Sequence, residues 1–131
     1  MRINVHHEGG AKFTARCRNH SISIDQPIDH DGEDTGMTPP EIMAASLASC
    51  IGFYIARYCQ KAGLDSTGLQ VGCDWLVGGT PRRIESFVIQ VNAPHIPAKR
   101  QKAIAKVANT CLIHATLHAE PMVEVKVQVG E

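Results

Sequence analysis

Neither sign of charge predominates in this 131-residue sequence: Lys and Arg total 13, Asp and Glu total 13, and the formal net charge is zero. That balance excludes the broad basic field with which proteins hold nucleic acid or anionic lipid. It also does little to keep copies of the chain apart. The opening Met-Arg-Ile-Asn-Val-His-His lacks the apolar run of a secretory leader, so the expected location is the cytoplasm. No two of the five cysteines (Cys17, Cys50, Cys59, Cys73 and Cys111) form a close CxxC pair, and their number is odd. A disulfide scaffold is therefore not expected, and any disulfide in a reducing compartment should be transient and catalytic. The longest uncharged run, between Glu41 and Arg57, is 15 residues, short of the roughly twenty a membrane span needs. No internal repeat or low-complexity tract is present.

Hydrophobic residues at 44% and charged residues at 20% are ordinary for one globular domain, here taken as residues 1–131. Residues 2–7 and 12–17, separated by Gly9-Gly10, read as strands, and Ser21-Ile22-Ser23-Ile24-Asp25 alternates with period two. The polar segment from Asp29 to Gly36 reads as a loop. Thr38-Pro39-Pro40-Glu41 then has the form of a helix start, with Thr38 as N-cap and Glu41 at the capping-box position. This helix is expected to run to Ala62 and stop at Gly63. Ile42, Met43, Leu47, Ile51, Phe53 and Ile55 lie on nearly every face of it, as in a central, buried helix. Such a helix is about 36 Å long. One modest sheet covers only one side of it, so a second copy of the chain is expected to cover the rest.

Strands are expected at about 68–78 and 82–92, the second with Phe87, Ile89 and Val91 on one face. Pro97 should start a second helix with Ile104 and Val107 inward. A short helix near Cys111 to His118 is expected next, with Thr110 as its cap and Cys111 in its first turn. There the free N–H groups and the helix dipole would favour a thiolate. Val123, Val125, Val127 and Val129 alternate with Glu124, Lys126 and Gln128 as a half-buried final strand. The order β-β-β-α-β-β-α-β indicates an α+β domain with antiparallel sheets around one long helix.

The chemistry turns on Cys50, a thiol inside the most apolar helix, among Ser46, Ser49 and Gly52. A buried cysteine is often passive packing, and Cys17, Cys59 and Cys73 are read that way. Burial alone would raise the pKa of Cys50, so a reactive role requires something cationic to oppose it. Arg57, seven residues on, shares its helical face but reads as a solvent-reaching residue. His114 and His118 follow Cys111 at i+3 and i+7, a possible ligand set for a soft divalent metal. His6 and His7 point to opposite faces of a strand and do not form a joint site. Trp75 reads as packing or an interface anchor.

Three stretches together resemble the OsmC/Ohr family of thiol peroxidases: residues 32–41, Ala44-Ala45-Ser46-Leu47-Ala48-Ser49-Cys50, and Cys111-Leu112-Ile113-His114-Ala115-Thr116-Leu117. The resemblance implies an OsmC-like fold in an intertwined homodimer, reducing organic hydroperoxides as part of an oxidative stress response. It implies Cys50 as the attacking thiol, oxidised to a sulfenate, and Cys111 as the resolving thiol that closes a disulfide. An external dithiol would restore both, with no bound cofactor. The resemblance also implies an Arg from the N-terminal strands, Arg16 or Arg18, held by Glu41. Both arginines are expected on the same strand face, so alternation does not separate them. Leu112 stands where the family usually has proline. Two other readings stay open: a dimer of this fold that binds a small apolar ligand with little catalysis, and a metal protein using Cys111, His114 and His118.

Overall fold

A computed structural model describes residues 1–130. The protein is α+β, with three strands, a long helix, two further strands and two short helices in order. Strands β1 (Asn4–Gly9), β2 (Lys12–Cys17) and β3 (His20–Ile24) form an antiparallel sheet in chain order, and β4 (Gln70–Gly78) pairs with β5 (Arg83–Asn92). Helix α1 spans Pro39–Ala62, α2 Gln101–Ala108 and α3 Leu112–His118. The chain forms two compact units. One comprises Met1–Ser46 with Cys73–Val88; the other comprises Leu47–Gly72 with the segment from Ile89 onward.

In the first unit, β1 and β2 are joined at Gly9 and Gly10, whose φ values of 102° and 53° suit the turn. The β2–β3 hairpin closes through Arg18 and Asn19, with Cys17 opposite His20. Arg18 has φ 55°. Arg18 therefore lies in the turn, past the end of β2, and the expected strand alternation with Arg16 does not extend to it.

The segment after β3 is more ordered than its polar composition suggested. Asp25 is 1% exposed. Its Oδ1 accepts from the N–H of Gln26 at 2.8 Å. Its Oδ2 accepts from the N–H of Glu33 at 3.3 Å, the N–H of Thr35 at 3.1 Å and the hydroxyl of Thr35 at 2.6 Å. Four donors on one carboxylate make the ion favourable despite burial. Its pKa falls from 3.8 to about 2, chiefly through the Thr35 hydroxyl and then the Gln26 N–H. The loop so gathered returns along β3: the N–H of Asp25 donates to the Met37 carbonyl at 3.2 Å, and Met37 bridges Ile24. Gly36 passes so close to the Ser23 carbonyl that a Cβ there would overlap it.

This return delivers Thr38 to the start of α1. Its N–H and hydroxyl donate to Oε1 of Glu41 at 2.9 and 2.8 Å, and the Glu41 N–H reaches back to the Thr38 hydroxyl at 3.4 Å. The expected capping box is present. At the far end Gly63 adopts φ 68°, and the Leu64 N–H donates to the Cys59 carbonyl at 2.8 Å, closing a Schellman turn.

In the second unit, Leu47, Ile51, Ile55 and Cys59 recur every fourth residue along α1 and are buried, Ile55 and Cys59 completely. Each such aliphatic side chain contributes about 1.5–3 kcal/mol by leaving water. By length and composition α1 would reach across a bilayer, but this buried ladder is the pattern of a core helix. The expectation of a helix buried on all sides holds for that ladder only: within one chain Ser46, Ser49, Phe53 and Arg57 form an exposed stripe. Ile104 of α2 is also buried. A short 3-10 turn (Ala98–Arg100) precedes α2, and Arg100 Nη1 donates to the Tyr58 hydroxyl of α1 at 3.1 Å.

The expected final strand is not formed. Residues 120–130 are neither helix nor strand, and Val123, Val125, Val127 and Val129 are 79–81% exposed. Alternation specifies a strand with one apolar face, but a strand needs a neighbouring strand for its backbone, and this segment pairs with none within one chain.

Asp25 sets the first expectation. Its lowered pKa adds stability that is fully present above pH 3.8 and is lost as the pH falls through about 2. Asp25→Asn should lower the urea midpoint at neutral pH and remove this part of the acid dependence. Urea titrations at several pH values between about 2 and 7 measure both effects.

Candidate active site

Cys50 sits midway along α1, between Ser49 and the buried Ile51, and is partly accessible. Cys111 is wholly buried at the head of α3. Both belong to the second unit. Their side chains are close enough to interact within one chain.

Cys111 is itself the N-cap of α3, with φ −68° and ψ 150°, and its Sγ accepts the N–H of His114 at 3.2 Å. The expected cap, Thr110, instead turns its hydroxyl back to the Val107 carbonyl at 2.7 Å. With that hydroxyl engaged, the sulfur takes the place that Ser, Thr, Asp or Asn usually fills.

The electrostatics of Cys111 follow from this position. Burial pushes its thiol above the ordinary cysteine range. The His114 N–H pulls the other way, and the Ile113 N–H does so more weakly. The hydrogen bond with Cys50 and the charge of Cys50 push Cys111 further up. Cys111 thus favours the neutral S–H form, a donor that faces Cys50. The cap position does not make Cys111 the readier thiolate, contrary to the sequence expectation, because desolvation outweighs the N–H donors.

Cys59 is fully buried, and burial raises its thiol pKa. Cys73 is raised by burial and by the charge of Asp74. Neither has a feature that favours a thiolate. Gly52 faces Val71: a Cβ there would lie 3.4 Å from Val71 Cγ2, so this glycine serves close packing.

Arg16 and Arg18 are exposed, and among the described residues neither forms an ion pair with Glu41. The Glu41 carboxylate is engaged by Thr38, whose backbone N–H and then hydroxyl lower its pKa. Arg57 is exposed, as expected. Among the described residues no three His, Cys, Asp or Glu side chains converge as a metal cluster. The expected set of Cys111, His114 and His118 is only partly assembled: His114 and His118 meet through their Nε2 atoms at 2.7 Å, while the Cys111 sulfur faces Cys50 and the His114 N–H. The i, i+4 spacing of this histidine pair was legible in the sequence, where it was read as part of a metal-ligand set.

A partly accessible thiol thus neighbours a buried, protonated one on an α+β scaffold. Residues 32–126 match the family described as OsmC-like protein, and the chain belongs to that family. A Psychrobacter arcticus protein, described as a candidate osmotic stress induced and detoxification response protein, is 25% identical with a TM-score of 0.81, over 90% of this chain and 88% of that one. The OsmC-like protein of Mycoplasma pneumoniae is 15% identical with a TM-score of 0.72, over 92% and 89%. The organic hydroperoxide resistance protein OhrB of Bacillus subtilis is 16% identical with a TM-score of 0.64, over 92% and 93%. A search of curated proteins finds no match.

Oxidation should therefore join Cys50 to Cys111 within one chain. Treatment with one equivalent of diamide, followed by peptide mass mapping, should yield that linkage with Cys59 still reduced. On a non-reducing gel the band should keep its monomer mobility.

Proposed function

We propose that this protein is a thiol-dependent peroxidase that reduces organic hydroperoxides through Cys50 and Cys111. The contact between the two thiols carries this reading. Cys50 is the accessible partner and the one that gains from the Cys111 S–H, so it is the attacking thiolate. Its sulfur bonds to the terminal peroxide oxygen, the O–O bond breaks, and an alkoxide leaves. Cys111 then attacks the sulfenic sulfur, the S–S bond forms, and the hydroxyl departs with the Cys111 proton as water. An external dithiol reduces the disulfide. The five free cysteines suit a reducing cytoplasm. Arg16 and Arg18 are the two candidates for a cation supporting the thiolate, by the family resemblance.

Cys50→Ser should lower turnover of tert-butyl or cumene hydroperoxide by about a thousandfold with a dithiol reductant. Cys111→Ser should still form one sulfenate per chain, trapped by dimedone, but fail to cycle without a small thiol. Wild-type turnover in the Cys50→Ser protein overturns the assignment.

The working form is proposed to be a homodimer. The exposed stripe on α1 includes Phe53 at 58%, and the tail presents a strand pattern with no sheet to join in one chain. Strand β1 is exposed throughout and is an edge of its sheet. A second copy supplies both an apolar cover and a strand edge. Sedimentation at micromolar concentration should show a dimer, and deletion after Glu120 should shift it to monomer. A full-length monomer removes this part of the reading.

A further inference from the structure

The thiol cycle leaves the His114–His118 pair of α3 without a task. Their Nε2 atoms, 2.7 Å apart, must present one proton and one lone pair to each other. On the other side of the His114 ring, Nδ1 is buried and has no hydrogen-bond partner among the described residues. A buried ring nitrogen left in this way is unfavourable in the resting protein. It belongs to the residue whose backbone N–H holds the Cys111 sulfur. The backbone N–H of His114 donates to Cys111 Sγ at 3.2 Å, and Nδ1 is four covalent bonds from that nitrogen. His118, at the other end, is exposed. The two rings therefore run from solvent to a buried, unused nitrogen on the residue that caps onto Cys111.

We propose that His118 and His114 form a proton relay ending at His114 Nδ1, which protonates the alkoxide released when Cys50 cleaves an organic hydroperoxide. The proposal rests on the peroxidase reading and adds the proton source which that reading lacks. In the resting state His118 Nε2–H donates to His114 Nε2, and His114 Nδ1–H is a buried, unused donor. As the O–O bond breaks, the leaving oxygen takes the Nδ1 proton. His114 Nε2 takes the proton of His118 Nε2, and His118 Nδ1 takes one from solvent. Once the disulfide has been reduced, the same path runs backward. The proton shed by Cys50 as it becomes a thiolate enters at His114 Nδ1, and His118 returns one to solvent. A preorganised donor of this kind acts where charge develops in the transition state. His114 is thus a catalytic residue, and His118 positions and resupplies it.

The test compares two oxidants that differ in their need for a proton. tert-Butyl hydroperoxide expels a strongly basic alkoxide; peracetic acid expels acetate, which needs none. The rate of Cys50–Cys111 disulfide formation is measured for each by rapid quench in wild type, His114→Gln, His114→Asn and His118→Ala. The His114 variants should lose about a hundredfold with tert-butyl hydroperoxide and less than about threefold with peracetic acid. His118→Ala should lose about tenfold with the hydroperoxide alone and recover with added imidazole. Comparing both oxidants in one preparation cancels any fraction of misfolded variant. Equal slowing with both oxidants, or wild-type rates with the hydroperoxide in either His114 variant, overturns the relay alone. Wild-type protein that reacts with neither oxidant removes the peroxidase reading as well.

Discussion

Two sulfurs in contact hold one negative charge between them far more readily than two, and this constraint organises the site. Cys50 lies in a helix with no charged side chain between Glu41 and Arg57. Cys111 supplies a donor at contact range, and burial keeps that donor protonated. The head of α3 completes the arrangement. Its N–H groups hold the Cys111 sulfur in place and limit how far burial raises its pKa. Accessibility separates the two, since Cys50 is partly exposed and Cys111 is wholly buried.

The same physics recurs at Asp25 with the opposite outcome. There a buried acid receives four donors and ionises more readily than in water, whereas Cys111 receives two backbone N–H groups and stays protonated. The difference lies in the number and strength of the donors and in the softer, larger sulfur, which accepts hydrogen bonds weakly. Asp25 fixes the loop that carries Thr38 to the start of α1. The capping box is therefore set by a carboxylate thirteen positions earlier in the chain as well as by its own two residues.

What the sequence disclosed follows the range of the forces involved. The limits of α1 were legible because Thr38, Glu41 and Gly63 act within a turn of their own positions. The three opening strands, the hairpin after α1 and the inward face of Phe87, Ile89 and Val91 were legible from period-two alternation. The Asp25 cluster was not, because its donors lie eight and ten residues away, in a loop whose composition says only that it is polar. The cap of α3 was misplaced by one residue: a threonine beside a cysteine is the better cap by propensity, and only the fold shows the threonine hydroxyl already bonded to Val107. Arg18 was placed on a strand because alternation carries no signal for where a two-residue turn begins. The tail shows the same limit, since a pattern of valines gives the face of a strand and not its partner. Of the site, the two cysteines and the i, i+4 spacing of His114 and His118 were legible; the approach of the two thiols depends on how α1 and α3 meet, which spacing along the chain does not encode.

Likeness of fold and the chemistry of the site carry different weight here. Identities of 15% and 16% to the Mycoplasma and Bacillus proteins establish the backbone path and nothing of the reaction. The same scaffold with Cys111 turned away from Cys50 would leave a lone thiol in an apolar helix, its anion disfavoured by burial and its sulfenate without a neighbour to close on. With Cys111 beside it, Cys50 has both a protonated donor and a second sulfur as its neighbour. A structural cysteine has no need of either property, so the sulfur pair, more than the shape around it, makes a peroxidase the reading to prefer.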